Sequence, residues 1–363
     1  MDLKVLVLPG DGIGPEVTAE AVRVLRAVAE RFAHRLVLSE GLIGGAALRA
    51  EGVPLPGATL AAAGEADATL LGAVGLPEYD GAPPGRRPEK GLLELRAALG
   101  LFANLRPVSA FPALAGFSPL RRDRIEGADL LIVRELTSGL YYGTPRGIFG
   151  SGRDRRAVNT MAYSAAEIER VSRMAFELAA QRRGKVTSVD KSNVLENSQL
   201  WRAIVEEVAR EFPHVALDHL YVDNCAMQLV LEPRRFDVVL TENLFGDILS
   251  DEAAVLAGSI GMLPSASIGP RKPSGAWAGL YEPVHGSAPS IAGKATANPY
   301  GAIRSVAAML LYSFGLRAEA AAVEEAVVAA VERGVLTADL APGRAASTSD
   351  AGAAVAAAVA EAR

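Results

Sequence analysis

Residues 236–261, FDVVLTENLFGDILSDEAAVLAGSIG, admit few local folds. The apolar, β-branched run at 238–240 suits a buried strand. The chain then turns through Thr241-Glu242-Asn243 and enters an apolar-periodic helix. Near the start of that helix Asp247 and Asp251 stand four residues apart, so both carboxylates project from one face. Two carboxylates at the end of a strand suit a hard divalent cation such as Mg²⁺ or Mn²⁺. They equally suit a structural arrangement in which Asp247 caps the helix and Asp251 favours its positive N-terminal dipole. Spacing alone leaves both readings open.

A chain of 363 residues, half of them apolar, is long enough for roughly two domains and a large core. A net charge of -5 argues against general binding of nucleic acid, so anionic ligands must be held by local arginines. Cys225, the single cysteine, lies in the apolar run CAMQLV; it reads as a small core residue in a reducing compartment. The opening MDLKVLVLPGDG enters a strand directly, and no apolar stretch reaches the roughly 18 residues that span a bilayer. The expectation is a soluble, cytoplasmic protein with no membrane or nucleic-acid partner.

Residues 3–8 read as a buried parallel strand, broken by PGDGIGP. A helix follows from Pro15, with Val17, Val22, Leu25 and Val28 on one face. Strand, glycine loop and helix invite a dinucleotide-binding reading, but Pro15 replaces the third glycine of G-x-G-x-x-G, so an ordinary Rossmann fold is rejected. Strands are expected at 68–71, 102–107 (ended by Pro107), 130–134, 186–189 and 217–222. Residues 148–159, rich in Gly and Arg, read as an exposed arm, and Ser164 with Glu167 as a capping box opening a helix. Residues 269–279 read as a Pro/Gly loop, and the tail from about 303 as alanine-rich helix. Strands alternating with helices give an α/β architecture whose charged residues gather at strand ends, where such sheets bind ligands.

Three arginines, Arg96, Arg106 and Arg134, flank apolar segments, and their forks match the carboxylates of a small multi-carboxylate acid. Any one of them alone reads as a solvated surface charge. Lys191 and Tyr141 suit a proton-transfer pair. A metal on Asp247 and Asp251 would polarise a hydroxyl and stabilise an enolate. His285, beside Gly286, lies in a loop of small residues open to close approach by a cofactor.

The segments GDGIGPEV, LLELR, FANLRP, VRELTSGLYYG, SVDKSNVLE, NLFGDILSDEAAVLAGSIGMLPSAS and EPVHGSAPSIAGKATANP resemble, in order from residue 5 to about 299, the isocitrate/isopropylmalate dehydrogenase family of metal-dependent β-decarboxylating dehydrogenases. That resemblance implies an isopropylmalate dehydrogenase-like two-domain fold with a large mixed sheet flanked by helices. Residues 1–101 with 258–363 would form a cofactor domain, and 102–257 a substrate, metal and dimerisation domain with an arm near 148–159. The implied reaction is oxidative decarboxylation of 3-isopropylmalate to 4-methyl-2-oxopentanoate, with NAD reduction, in leucine biosynthesis.

The same resemblance assigns Arg96, Arg106 and Arg134 to the malate carboxylates, and Asp247, Asp251 and Asp223 to Mg²⁺ or Mn²⁺. It makes Lys191 the base toward the substrate hydroxyl and Tyr141 the acid that protonates the product. Lys191 and Asp223 would come from the partner subunit, implying a homodimer with shared active sites. Glu89, Leu92 and Leu93, with the partner's Val194, would set substrate choice; the two leucines favour an isopropyl group over the third carboxylate of isocitrate. NAD would lie along Ile13, Leu76, Glu89, Glu282, His285, Gly286, Ser287, Ala288, Ser290 and Asn298. Here the chain departs from its resemblance: NAD-dependent members carry Asp where this chain has Ser290, and NADP-dependent ones a Lys-Tyr pair at 290–291. Ser290 can bond a ribose hydroxyl without repelling a 2′-phosphate, so NAD is expected with weaker discrimination. The alternatives are a relative acting on D-malate, tartrate or another 3-substituted malate, and a catalytically dead regulatory subunit. The second would lack one of Lys191, Tyr141 or the three aspartates, and all five are present.

Overall fold

The computed structural model describes residues 1–272 and 275–361. Residues 1–101 run β1 (Asp2–Gly10), α1 (Gly14–Arg31), β2 (Arg35–Glu40), α2 (Gly44–Glu51), α3 (Gly57–Glu65), β3 (Ala68–Ala73) and α4 (Pro88–Ala98). Next come β4 (Ala103–Ser109), α5 (Arg122–Ile125), β5 (Asp129–Glu135), β6 (Gly143–Phe149), β7 (Arg156–Thr160), α6 (Ala165–Ala180) and β8 (Lys185–Asp190). They are followed by α7 (Glu196–Ala209), β9 (Ala216–Tyr221), α8 (Val222–Leu231), β10 (Val238–Thr241) and α9 (Asn243–Ala254). The remainder holds β11 (Pro264–Arg271), β12 (Trp277–Pro283), α10 (Tyr300–Tyr312), α11 (Arg317–Glu332) and α12 (Thr348–Glu361).

The chain divides into two compact units, Met1–Leu101 with Phe111–Pro119 and Ala257–Arg363, and Phe102–Ala110 with Leu120–Leu256. Residues 111–119 and Ala257 therefore belong to the first unit, where the sequence reading places them in the second.

In the first unit β2, β1, β3 and β12 run parallel, and β11 pairs antiparallel with β12. β1, β2 and β3 are joined in sequence through helices, the crossover that a parallel neighbour needs. Helices α1 and α10 lie on this sheet. The α1 face that is buried carries Val17, Ala21, Val24, Leu25 and Val28. Val22 is only partly covered, because the 3.6-residue period points Val24 rather than Val22 inward. Residues 269–279 are not a plain loop: they supply the ends of β11 and β12, with Pro273 and Ser274 outside the described residues.

The second unit repeats the composition, with β5, β10, β8 and β9 parallel and β4 antiparallel to β5. Pro107 does not end β4; it stands opposite Leu131 within the paired strand, which continues to Ser109. Helices α6 and α9 cover this sheet, and the Ser164–Glu167 capping box forms as the sequence predicts. Cys225 is buried, and burial pushes its thiol up to about 12, so it is an inert core residue. Strands β6 and β7 form a separate antiparallel ribbon, on which Ile148 is 77% exposed. Among the described residues no helix is long and apolar enough to cross a membrane.

Candidate active site

The turn after β10 explains why α9 presents its carboxylates. Glu242, not Asp247, caps the helix: its buried carboxylate accepts from Leu244 N at 3.0 Å and Phe245 N at 2.7 Å. Asp247 and Asp251 therefore lie beyond the first turn, and the cap reading of Asp247 is overturned. Asn243, Asp247 and Asp251 form a stripe at four-residue intervals, one side of which faces β5 and β4.

Two arginines meet this stripe from the sheet. Arg134, 7% exposed in its side chain, donates Nε and Nη2 to Asn243 Oδ1 at 3.0 and 2.7 Å, and Nη1 to Asp247 Oδ1. Arg106 donates Nη1 to Asp251 Oδ1 at 2.9 Å and to Ser250 Oγ at 2.7 Å, and Nε to Asn104 Oδ1 at 2.9 Å. Gly246 makes the Arg134 approach possible, since a Cβ there would stand 2.6 Å from Arg134 Cγ. Tyr141 completes the group by donating its hydroxyl to Asp247 Oδ2 at 2.8 Å. Burial, then the neighbouring Asp247, pushes the Tyr141 hydroxyl up to about 12. It holds its proton throughout the neutral range.

A second constellation lies in the same unit. Lys191, at the turn after β8, bonds through Nζ to Asp223 Oδ1 in the first turn of α8, and that hydrogen bond lowers the Asp223 carboxyl. Asp223 thus stands with Lys191; among the described residues no three His, Cys, Asp or Glu side chains gather as a metal set. Val194 beside this pair is 62% exposed.

The residues expected at a cofactor all lie in the first unit. Ser287 O accepts from Ile13 N at 2.8 Å, and a Cβ at Gly12 would fall 2.0 Å from that same oxygen. Glycine at position 12, with φ of +58°, is thus what lets the loop after β1 touch the 286–290 loop. Glu16 anchors the far end of that loop through Gly293 N and Ala295 N. Asp11 binds Gly45 N, Ala46 N and Gly75 N at 2.7–2.8 Å and so fixes the turn leading to Leu76. His285 Nε2 is shielded from solvent with no hydrogen-bond partner among the described residues, while Nδ1 meets Gly286 O at 2.9 Å. Burial pushes the ring's pKa down, keeping it neutral. An orphaned imidazole nitrogen in a loop of Gly286, Ser287 and Ala288 fits a polar cofactor group. Ser290 is exposed. Asn298 is buried, its side-chain amide donating to Asp339 at 2.9 Å and accepting from Tyr300 N at 2.9 Å.

Arg96 pairs with Glu282, and Arg96 Nε is buried without a hydrogen-bond partner among the described residues. Glu89 is exposed at the start of α4, near Gly75: a Cβ on that glycine would lie 3.2 Å from Glu89 Oε1. The buried face of α4 consists of Pro88, Gly91 and Leu95. Leu92 is half-buried and Leu93 is 45% exposed, so neither serves as the core face of the helix.

Sequence reading missed Asn243, Gly246 and Glu242. The period-four stripe through Asn243 was a usable signal; the closeness of Gly246 to Arg134 was not, because it depends on which strand α9 meets.

Residues 4–355 match the isocitrate/isopropylmalate dehydrogenase family. The chain is 57% identical over 349 residues to the 3-isopropylmalate dehydrogenase of Geobacillus kaustophilus, covering 96% of this chain and 93% of that protein. It is 56% identical over 342 residues to that of Bacillus subtilis, covering 94% and 92%. Among solved structures, isocitrate dehydrogenase from Methylococcus capsulatus superposes with a TM-score of 0.86 at 35% identity, covering 99% of this chain and 100% of that one. A β-decarboxylating dehydrogenase from Thermococcus kodakarensis gives a TM-score of 0.80 at 39% identity, covering 98% and 96%.

Proposed function

The chain belongs to the isocitrate/isopropylmalate dehydrogenase family, and from that premise we propose that it oxidises and decarboxylates 3-isopropylmalate with NAD in leucine biosynthesis. The observation that carries the substrate is on α4. Leu92 and Leu93 lie off the helix's core face, and an apolar pair there, Leu92 half-buried and Leu93 exposed, suits a branched alkyl group. The bare third carboxylate of isocitrate would lose hydration against them.

Arg106 and Arg134 bind the substrate's carboxylates in place of the aspartates they now hold, and Arg96 does so with its unpaired Nε. Asp247 and Asp251 supply hard oxygen donors for Mg²⁺ or Mn²⁺, joined by Asp223 of a second copy. Their charges fit: two aspartates balance one divalent cation, which frees both arginines for a dianionic malate. When bound, the cation would polarise the substrate hydroxyl and the nicotinamide would accept hydride. Lys191, as the free amine once its ammonium proton has passed to solvent, takes the hydroxyl proton. Tyr141, still protonated at neutral pH, gives a proton to the carbon from which CO₂ departs.

Asp223 stands on Lys191 rather than with Asp247 and Asp251, which supports a homodimer in which each copy lends this pair to its partner. Exposed Met227, Val230 and Leu231 on α8, with Ile248 on α9, supply an apolar face for such an association. The β6–β7 ribbon, with Ile148 and Phe149 exposed, serves as the clasping arm. The residues around His285 hold NAD, and Ser290 retains NAD preference with weaker discrimination than a carboxylate gives. Equal or better kcat/KM with NADP would overturn that preference.

The test is kcat/KM with Mg²⁺ and NAD for 3-isopropylmalate beside D-malate, tartrate and isocitrate. The proposal expects a clear preference for isopropylmalate; a winning D-malate or tartrate would overturn the assignment of Leu92 and Leu93.

A further inference from the structure

The turn that carries Lys191 is held from beneath by groups with no role in the chemistry above. Asp190, the last residue of β8, is 1% exposed and accepts from Arg202 in a fork, Nε to Oδ2 at 2.9 Å and Nη2 to Oδ1 at 3.0 Å. Asp190 Oδ1 also accepts from Ser192 N at 2.8 Å, while Lys191 N donates to Ser198 Oγ at 3.1 Å. The backbone on both sides of Lys191 is thereby tied to α7, the helix that bears Arg202 and Ser198.

The Lys191 side chain meets the same network at its other end. Tyr221, paired with Asp190 across β8 and β9, holds Arg202 Cζ 5.5 Å and Lys191 Nζ 5.7 Å from its ring centroid. Two cations share one aromatic platform. Their mutual repulsion is offset because each has its own carboxylate, Asp190 for Arg202 and Asp223 for Lys191. A lysine is a point charge on a flexible stem, so its ammonium is placed only as well as its surroundings place it.

We infer that Arg202 and Tyr221 are positioning residues for Lys191, Arg202 by clamping its turn through Asp190 and Tyr221 by seating its ammonium beside Asp223. The inference rests on the assignment of Lys191 to proton transfer. Arginine is required at 202 because only a planar fork engages both oxygens of Asp190 while lying over a ring. At 221 the requirement is an aromatic face and not a hydroxyl.

The test compares the intact chain with its Arg202→Lys, Tyr221→Leu and Tyr221→Phe variants in two measurements. In turnover of 3-isopropylmalate, Arg202→Lys and Tyr221→Leu should lower kcat roughly tenfold while KM for the malate stays within about twofold. Tyr221→Phe should restore kcat to within about twofold of the parent. In the second measurement, acetic anhydride labels the folded protein and mass spectrometry follows Lys191 against the exposed Lys294. The Lys191-to-Lys294 ratio should change in Arg202→Lys and Tyr221→Leu and remain unchanged in Tyr221→Phe. Tyr221→Leu with parental kcat and labelling, or Tyr221→Phe as damaging as Tyr221→Leu, would overturn the inference. If the parent chain turns over no malate, the proposed reaction fails, and the labelling ratio still decides whether these residues place Lys191.

Discussion

Tyr141 and Asp247 share one hydrogen bond, 2.8 Å long, while the other oxygen of that carboxylate accepts from Arg134. The proposed proton donor and a proposed substrate-binding cation thus meet on a single carboxyl group, itself a candidate metal ligand. In the proposed reaction, protonation of the product depends on the Tyr141 hydroxyl, and the residue is 39% exposed. Tyr141→Phe is expected to lower kcat by about 10²–10³-fold with KM little changed. Because its pKa is raised to about 12, Tyr141 stays neutral and active as pH rises, so it contributes no alkaline loss of activity between pH 7 and 10. A pH profile of the parent, beside kcat and KM of the variant, checks both statements.

Gly246 of α9 lies against Arg134 of β5. A methyl group there would stand 2.6 Å from Arg134 Cγ, so Gly246→Ala must displace Arg134 from Asn243 and Asp247. The expected result is a KM for the malate raised roughly tenfold or more, with a stability loss of about 1–3 kcal/mol from overpacking. Thermal melting and steady-state kinetics separate the two effects. An unchanged KM would show that Arg134 does not hold substrate.

Leu93 contributes little to the core, and its replacement is expected to act on substrate choice alone. Leu93→Ser should leave the melting temperature within a few degrees. It should cut the preference for 3-isopropylmalate over D-malate by roughly tenfold, the scale of a few methylenes in an apolar site. A large drop in melting temperature with preference intact would return Leu93 to a structural role.

The division of unit two into a Tyr141–Asp247 group and a Lys191–Asp223 group leads to a complementation test. Tyr141→Phe and Lys191→Ala dimers should each be inactive. Unfolded together and refolded as an equal mixture, they should regain about one quarter of parental activity, because half the dimers are mixed and each has one intact site. No recovery, with dimers present by sedimentation, would show that the two groups act within one chain.

Much of this was legible in the residues. Asp247 and Asp251 at four-residue spacing announced a shared helix face, Ser164 with Glu167 announced a helix start, and Pro15 in place of glycine excluded the ordinary dinucleotide loop. Local rules failed where tertiary pairing decided. Pro107 continues a strand because β5 accepts it in register, and residues 269–279 contribute to two strands although glycine and proline suggest a loop. Asp247 looked like a cap because sequence cannot show that Glu242 already bonds two of the free amides. The Arg202–Asp190–Tyr221 network was invisible for the same reason: its members lie on α7, β8 and β9, and only the parallel register brings Asp190 opposite Tyr221.

The most direct test of the central claim is the stoichiometry of CO₂ released to NADH formed from 3-isopropylmalate, with Mg²⁺ present and then chelated. The account predicts one CO₂ for each NADH with the cation, and loss of both products without it. Sustained NADH formation from isocitrate or D-malate, with none from 3-isopropylmalate, would contradict it.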